Sequence, residues 1–267
     1  MPTPKRQYSS VRGTLSRRAD TTLSLAALSV AFLAWFLVTY EYAPDKRLVL
    51  GLFLPSPMDI VRGTQDLFRM GEMPGAIWVS LWRIAQAMFY TILVGVPIGV
   101  LMGSIPVIDT LLRKFIDGFK SVPPTAFIGL IILWFGIEER SKTVFLFLGA
   151  IFYMILMTKN AIQNVPESYV TVAMDIGASR LELIRGVLIP GALPQIWDAI
   201  IVCNGLMWTY IILAEWVNAN SGLGHTISIA SRLNRSDEVF AGVIAIAITS
   251  ASTDWALRAI RKRFLNW

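Results

Sequence analysis

Long stretches without a charged residue dominate the hydrophobic pattern of the chain. A helix that crosses the hydrocarbon core of a bilayer needs about 20 mostly apolar residues. Flanking polar side chains can reach the interface, so somewhat shorter uncharged stretches also qualify. The pattern therefore predicts six membrane-spanning helices, over residues 21–40, 79–104, 122–137, 142–162, 194–217 and 239–260. The third is the shortest, and Pro123 and Pro124 interrupt its start.

The composition agrees with an all-α membrane protein. Of 267 residues, 55% are hydrophobic and 16% are charged, whereas about 25% are charged in ordinary soluble domains. This excludes a disordered chain and argues against a soluble enzyme. A single cysteine, Cys203, and a single histidine, His225, leave no internal disulfide and no cysteine- or histidine-based metal site. A cleaved signal peptide at 21–40 is disfavoured, because the apolar run is too long for one.

The lysines and arginines predict the orientation. If the N-terminal tail is cytoplasmic and the six helices alternate, the inside segments carry 15 Lys and Arg against 6 acids, and the outside segments carry 8 against 9. An excess of basic residues on the cytoplasmic side is the usual topology signal. We therefore expect a multi-pass protein of the cell inner membrane with both termini in the cytoplasm. The net charge of +6 forms no basic stripe with interleaved aromatics, so nucleic acid is not an expected partner.

Three regions follow from this topology. Residues 1–20 form a basic cytoplasmic tail, 21–78 hold the first helix and an extracytoplasmic amphipathic segment, and 79–263 form the core transmembrane domain. In the extracytoplasmic segment, apolar residues from Ile60 to Phe68 recur at helical spacing. They predict a short helix, either lying on the outer surface of the membrane or, as we favour, packed as a connector.

The inside segment 163–189 is too long for a simple turn. Its apolar residues recur at steps of three and four and make one stripe that is interrupted by Gly177. Such a segment can lie on lipid, pack under its own bundle or dock a partner. A glycine in a helix costs about 1 kcal/mol relative to alanine, and it is tolerated where the backbone bends or another surface comes close. Docking is therefore one open interpretation of this segment.

At this segment the sequence resembles the permeases of type I ABC importers, which carry a cytoplasmic EAA motif. Thr171-Val172-Ala173 stands in the Glu-Ala-Ala place, Gly177 follows after three residues, and Val187 and Ile189-Pro190 close the motif. Thr171, Val172 and Ile189 depart from the usual residues. Further segments resemble the nitrate/sulfonate/bicarbonate/taurine branch: Gly177-Ala178-Ser179-Arg180, Pro190-Gly191-Ala192-Leu193-Pro194, Gly205-Leu206-Met207-Trp208, Ala214-Glu215, Ala219-Asn220-Ser221-Gly222-Leu223-Gly224, Leu54-Pro55-Ser56-Pro57 and Leu133-Trp134-Phe135-Gly136-Ile137.

The resemblance implies the type I (MetI-like) permease fold and a transporter subunit that is not itself an enzyme. Two permease copies, as a homodimer, would form the pathway for a small solute, such as nitrate, bicarbonate or a sulfonate. An extracytoplasmic solute-binding protein would deliver the solute. Two cytoplasmic ATPases would hold ATP and Mg, with no cofactor in this chain. They would dock on the coupling residues Ala173, Met174, Asp175, Gly177, Ala178, Ser179, Arg180 and Leu181.

Four charged residues lie in or near the predicted spans, where charges are costly and mark interior or functional faces. Arg83 and Glu215 lie at similar depth near the outside and could form an outer gate, attract an anion or make a structural ion pair. Asn204, Met207, Trp208 and Ile211 share one face of the fifth helix, which could line the pathway or pack against another helix. With Arg83 and Glu215 they make up the predicted pathway set.

The remaining carboxylates support a different class of protein. Asp198, Glu215 and Asp254 could relay protons in a proton-coupled secondary transporter. No inverted repeat is visible, and six spans are few for that class. An intramembrane enzyme is disfavoured because no catalytic motif is present, and ATP hydrolysis would need another chain because there is no P-loop.

Overall fold

The computed structural model describes residues 16–40, 53–217 and 219–264, so most of the predicted basic tail lies outside the described residues. Within these ranges the chain is helical and contains no strand. Its helices are α1 Arg17–Thr39, α2 Pro57–Arg69, α3 Glu72–Ser104, α4 Pro106–Lys120, α5 Ile128–Phe135, α6 Glu139–Gln163, α7 Glu167–Asp175, α8 Arg180–Leu183, α9 Ile189–Trp216, α10 Leu223–Arg232 and α11 Ser236–Phe264. A π-helical turn, Ile184–Leu188, joins α8 to α9.

Five of the six predicted spans are confirmed as helices that are long and apolar enough to cross a membrane. They are α1, α3, α6, α11 and the continuous helical run Arg180–Trp216. The prediction began each of them too late, most of all at α3, which starts at Glu72, and at α9, which starts at Ile189. The first turns of these two helices contain Pro74 and Pro190, and proline is tolerated in the first turn of a helix.

The remaining predicted span, over 122–137, is helical over Pro124–Phe135, which reaches the length of a membrane span only together with α4. Only Ile128–Phe135 is α-helical there, after a single 3-10 turn at Pro124–Phe127. Together with α4 it forms a pair bent by 89°. The physical cause is Pro123-Pro124, because proline lacks the backbone N–H that a helix interior needs and disfavours helical backbone in the preceding residue.

Glycines set the closest helix contact, between α3 and α6. Gly95, Gly99 and Gly103 recur every four residues and face α6. A Cβ atom at Gly99 would lie 2.6 Å from the Cβ of Thr158 and 2.7 Å from the carbonyl oxygen of Ile155. These glycines therefore serve helix packing, since small residues at this spacing let two helix backbones approach closely in a membrane.

The core lies among α3, α6, α9, α10 and α11. The amphipathic helix α2 packs against α11 and α3 and buries Ile60 and Leu67, which confirms the connector interpretation. A capping box at Ser56 and Asp59 starts this helix. In contrast, the apolar stretch of α1 is exposed, as expected for a helix that faces lipid or another subunit.

Candidate functional site

The predicted coupling segment is a helix–turn–helix whose turn is centred on Gly177. The N–H of Ala178 donates to the carbonyl of Ala173 at 3.0 Å, and the N–H of Gly177 donates to that of Met174 at 2.9 Å. Gly177 has φ +84°, the left-handed conformation that glycine adopts most readily. These bonds form the Schellman motif that ends α7. The predicted bend at Gly177 is therefore present, but as a helix terminus.

Ser179 starts the second helix immediately after this turn. Its hydroxyl accepts from the N–H of Glu182, and the Glu182 carboxylate accepts from the N–H of Ser179 at 2.8 Å. This reciprocal capping box stabilises the start of α8. The turn is consequently specified on both sides by local hydrogen bonds, which makes the segment a rigid projection.

Apolar side chains of this projection are left uncovered. Met174 and Leu181 are exposed by 61% and 54%, and Ile176 by 81%. Only Ala173 of the eight predicted coupling residues is buried, while Ala178 is half-buried and Asp175, Gly177, Ser179 and Arg180 are exposed. Between α7 and the start of α9 lies a groove of about 500 Å³, whose walls include Tyr169, Val172 and Val187. An exposed apolar surface of this kind is typical of a region that contacts another protein or lipid.

A buried charge cluster forms at the opposite end of the helices. The guanidinium of Arg83 donates to the carboxylate of Glu215 at 2.8 Å and to that of Glu139 at 2.6 and 2.7 Å. Lys142 also reaches Glu139, at 2.6 Å. Ser80 donates to Glu215 at 2.7 Å. Arg83 and Glu215 are 1% and 0% exposed, so their ion pair is withdrawn from solvent.

The same cluster fixes the chain between α9 and α10. Arg83 donates to the carbonyl of Ser221 at 2.7 Å, and the N–H of Gly224 donates to Glu215 at 2.7 Å. Gly222 has φ +115°, and a Cβ there would lie 2.4 Å from the carboxylate carbon of Glu215. The predicted Arg83–Glu215 proximity is thus real. The pairing holds α3, α6, α9 and the start of α10 together.

The other four predicted pathway residues are packed inside the subunit. Met207 and Ile211 are fully buried in the core, and Asn204 and Trp208 are nearly so. Asn204 and Trp208 both donate to the hydroxyl of Thr253 on α11, at 3.1 and 3.0 Å. In this conformation the face joins α9 to α11, so a pathway role for it stays a prediction.

Each carboxylate of the predicted proton relay is bonded to a different arginine. Glu215 bonds Arg83, Asp198 bonds Arg261 at 2.7 Å, and Asp254 bonds Arg258 at 2.6 Å. A guanidinium stays protonated in proteins, so an arginine cannot take up a proton that a carboxylate passes on. This arrangement suits structural ion pairs better than proton transfer.

Sequence reasoning missed Glu139, Lys142 and Ser80 as members of the charge cluster. Glu139 and Lys142 lie at the start of α6, where they resemble ordinary charges flanking a membrane span. Ser80 lies eight residues into α3 with no local signal. Their spacing from Glu215 along the chain is large, so only the packing of the helices brings them together.

The helical bundle with its uncovered helix–turn–helix defines a class, the membrane-spanning permease subunits of binding-protein-dependent ABC importers. Residues 95–266 match the model of the family described as "Binding-protein-dependent transport system inner membrane component". The chain belongs to this family.

Curated relatives align over most of their length. The taurine transport system permease protein TauC of Escherichia coli (strain K12) is 33% identical over 96% of this chain and 92% of its own length. The putative aliphatic sulfonates transport permease protein SsuC of Bacillus subtilis (strain 168) is 32% identical over 80% of this chain and 78% of its own. The nitrate import permease protein NrtB of Leptolyngbya laminosa is 26% identical over 72% of each chain.

The fold has solved counterparts. A chain of the MetNI methionine ABC transporter, in an inward-facing crystal form, superimposes with a TM-score of 0.59 at 20% identity, covering 72% of this chain and 97% of its own. A second crystal form gives 0.57 over 69% of this chain and 94% of its own. The type I permease fold predicted from the sequence is confirmed, and the protein is a multi-pass inner membrane transporter subunit. Family membership overturns the alternative of a proton-coupled secondary transporter.

Proposed function

We propose that the chain is the permease of an ATP-driven importer for a small oxyanion, and that sulfonates are the preferred solute class. The taurine and aliphatic sulfonate permeases align over more of this chain, at higher identity, than the nitrate permease does. The solute would arrive on an extracytoplasmic binding protein, as the family description implies.

The proposed coupling surface consists of α7, the Gly177 turn and α8. The uncovered apolar side chains of Met174, Ile176 and Leu181 carry this proposal. Exposed apolar side chains on a rigid turn fit a groove on a partner, and the flanking Asp175 and Arg180 would set its register. Two cytoplasmic ATPases would dock there. They would hold ATP and Mg, and this chain would carry no cofactor of its own. Their closure would move the turn as a rigid body and switch the bundle between two states.

The proposed orientation places this turn and both termini in the cytoplasm. The basic residues Arg180 and Arg185 on this segment, and Arg261, Lys262 and Arg263 at the end of α11, fit the cytoplasmic side. The pathway would form between two copies of the chain. The exposed apolar side chains along α1 offer surface for lipid or a second copy.

Two single-charge variants on the same helix test the coupling surface. Met174→Glu adds a charge within the uncovered apolar surface, whereas Thr171→Glu adds it at another exposed position of α7, where the related motif carries glutamate. We expect Met174→Glu to abolish both copurification of the ATPase with tagged permease and uptake of ³⁵S-taurine in cells of the source organism. Thr171→Glu should preserve both. Equal ATPase recovery from the two variants would refute the coupling role.

A further inference from the structure

One face of α10 presents polar side chains to a cavity at the outer end of the bundle. His225, Ser228 and Arg232 follow each other at helical spacing and line this cavity of about 500 Å³. Its other walls include Trp216 at the end of α9, Asn220, and Glu138 just before α6. The cavity therefore lies between three elements of the same subunit.

The polar side chains of this wall are unpaired within the part of the chain that the structure describes. The side chains of Glu138, Asn220, His225, Ser228 and Arg232 form no hydrogen bond or ion pair with any residue that the structure describes. Ser228 is nevertheless 3% exposed. Because polar groups in the interior are normally paired, an unpaired hydroxyl on a nearly buried residue that lines a cavity is a place for a ligand.

The charges of the wall indicate the chemistry of that ligand. Arg232 offers a fork of donors that suits the oxygens of a sulfonate or similar oxyanion. Burial, together with the positive charges of Arg83 and Arg232, lowers the pKa of His225, so its neutral imidazole has one donor and one acceptor. Glu138 supplies one unpaired negative charge on the same cavity. One cation and one anion on the walls of a single cavity match a zwitterion.

The buried charge cluster positions this wall. The Ser221 carbonyl and the Gly224 N–H are bonded to Arg83 and Glu215, which lie directly beneath the first turn of α10. A rigid support of this kind fixes the orientation of polar groups before a ligand arrives, which lowers the entropic cost of binding. Its position beside the outer ends of the helices fits a solute leaving the binding protein.

We propose that this cavity, lined by Glu138, Asn220, His225, Ser228 and Arg232, is a solute site of the permease for a small zwitterion with a strong-acid oxyanion and an amino group. The oxyanion lies against Arg232, His225 and Asn220, and the ammonium lies against Glu138. The inference rests on the proposed function, because it names a site and a charge pattern for the solute of that importer.

Cysteine accessibility tests the site in membrane vesicles that carry the complete transporter. The natural Cys203 is fully buried, so an introduced thiol gives the signal. Asn220→Cys places a thiol on the cavity, and the control Ser231→Cys places one on an exposed position of α10 outside it. Both are treated with a thiosulfonate reagent that carries a sulfonate and with its trimethylammonium counterpart.

We expect the sulfonate reagent to modify Asn220→Cys faster than the cationic reagent does. Adding Arg232→Gln should lower this preference, because it should slow the sulfonate reagent about fivefold, the effect of one unit charge at about 4 Å in water, and speed the cationic one. Adding Glu138→Gln should raise it. Millimolar taurine should slow modification of Asn220→Cys and leave that of Ser231→Cys unchanged, and ethanesulfonate, which lacks the amine, should protect less.

The outcomes separate this proposal from the proposed function. The site is refuted if taurine protects neither cysteine, if ethanesulfonate protects as well as taurine, or if Arg232→Gln leaves the reagent preference unchanged. The reactivity measurements need no ATP, so ATP-dependent uptake tests the importer independently. Loss of the transporter complex in the Arg232→Gln variant, seen by size-exclusion chromatography, would instead assign this wall to subunit contact and overturn the proposal.

Discussion

Arg83 and Glu215 form an ion pair at 2.8 Å with both side chains excluded from solvent. Removing charges from water carries a penalty of several kcal/mol per ion, which good geometry and extra hydrogen bonds must offset. Here Glu139, Ser80 and two backbone groups, the carbonyl of Ser221 and the N–H of Gly224, supply those bonds. Each of the two buried charges therefore depends on its partner and on these hydrogen bonds to offset its desolvation penalty.

Loss of Arg83 should lower the free energy of unfolding more than loss of Glu139, its solvent-exposed partner. Arg83→Met leaves Glu215 buried and unpaired, for which about 3–5 kcal/mol is expected. Glu139→Gln should cost much less, because the Glu139 side chain is 62% exposed. Thermal unfolding of the purified protein in detergent measures both. Adding Glu215→Gln to Arg83→Met should recover part of the lost stability, and a further additive loss would contradict the buried pair.

The glycine contact between α3 and α6 should not tolerate even a methyl group. At Gly99 a Cβ would overlap Thr158 and the backbone of Ile155, so Gly99→Ala must push the helices apart. We expect a loss of about 1–3 kcal/mol, seen as a lower melting temperature. Gly118→Ala on α4 is the matched control, because nothing lies within 4 Å of a Cβ there. Equal stability of the two variants would show that the helices do not touch at Gly99.

The turn at Gly177 should respond to backbone preference and not to size. No atom lies within 4 Å of a Cβ at Gly177, but its φ of +84° disfavours branched side chains. Gly177→Val should therefore distort the turn and abolish uptake while membrane insertion stays normal. Gly177→Asn should retain most uptake, because asparagine adopts the left-handed conformation more readily. If both variants fail equally, an unseen close contact at Gly177 is responsible.

The ion pair of Asp198 with Arg261 should be dispensable for transport. The two side chains are 45% and 37% exposed, and ion pairs in such settings contribute about 0–1 kcal/mol. Asp198→Asn should leave the rate of uptake and its dependence on external pH close to those of the unaltered protein. A flattened pH profile in this variant would revive a proton-relay role for the carboxylate.

Sequence reasoning found the elements that depend on local signals. The apolar runs of α1, α3, α6 and α11 predicted their spans because a hydrocarbon environment demands length and apolarity along one continuous segment. The spacing around Gly177 predicted the bend of the segment 163–189. The sequence marked the prolines at the start of 122–137 as a break, but hydropathy did not reveal that the short helix after them pairs with α4 at a bend of 89°.

The candidate sites also combine features that the sequence predicted with contacts that only the tertiary structure shows. The sequence alone determined the membrane class, the five long spans and the turn at Gly177, because these follow from hydropathy and from hydrogen bonds between near neighbours. Only the tertiary structure decided that Arg83 joins Glu215 to Glu139, and that the predicted pathway face of α9 is packed on Thr253. It also decided that one face of α10 lines a cavity with Glu138. Such contacts join residues far apart in the chain, and their partners depend on how helices pack, which no local pattern specifies.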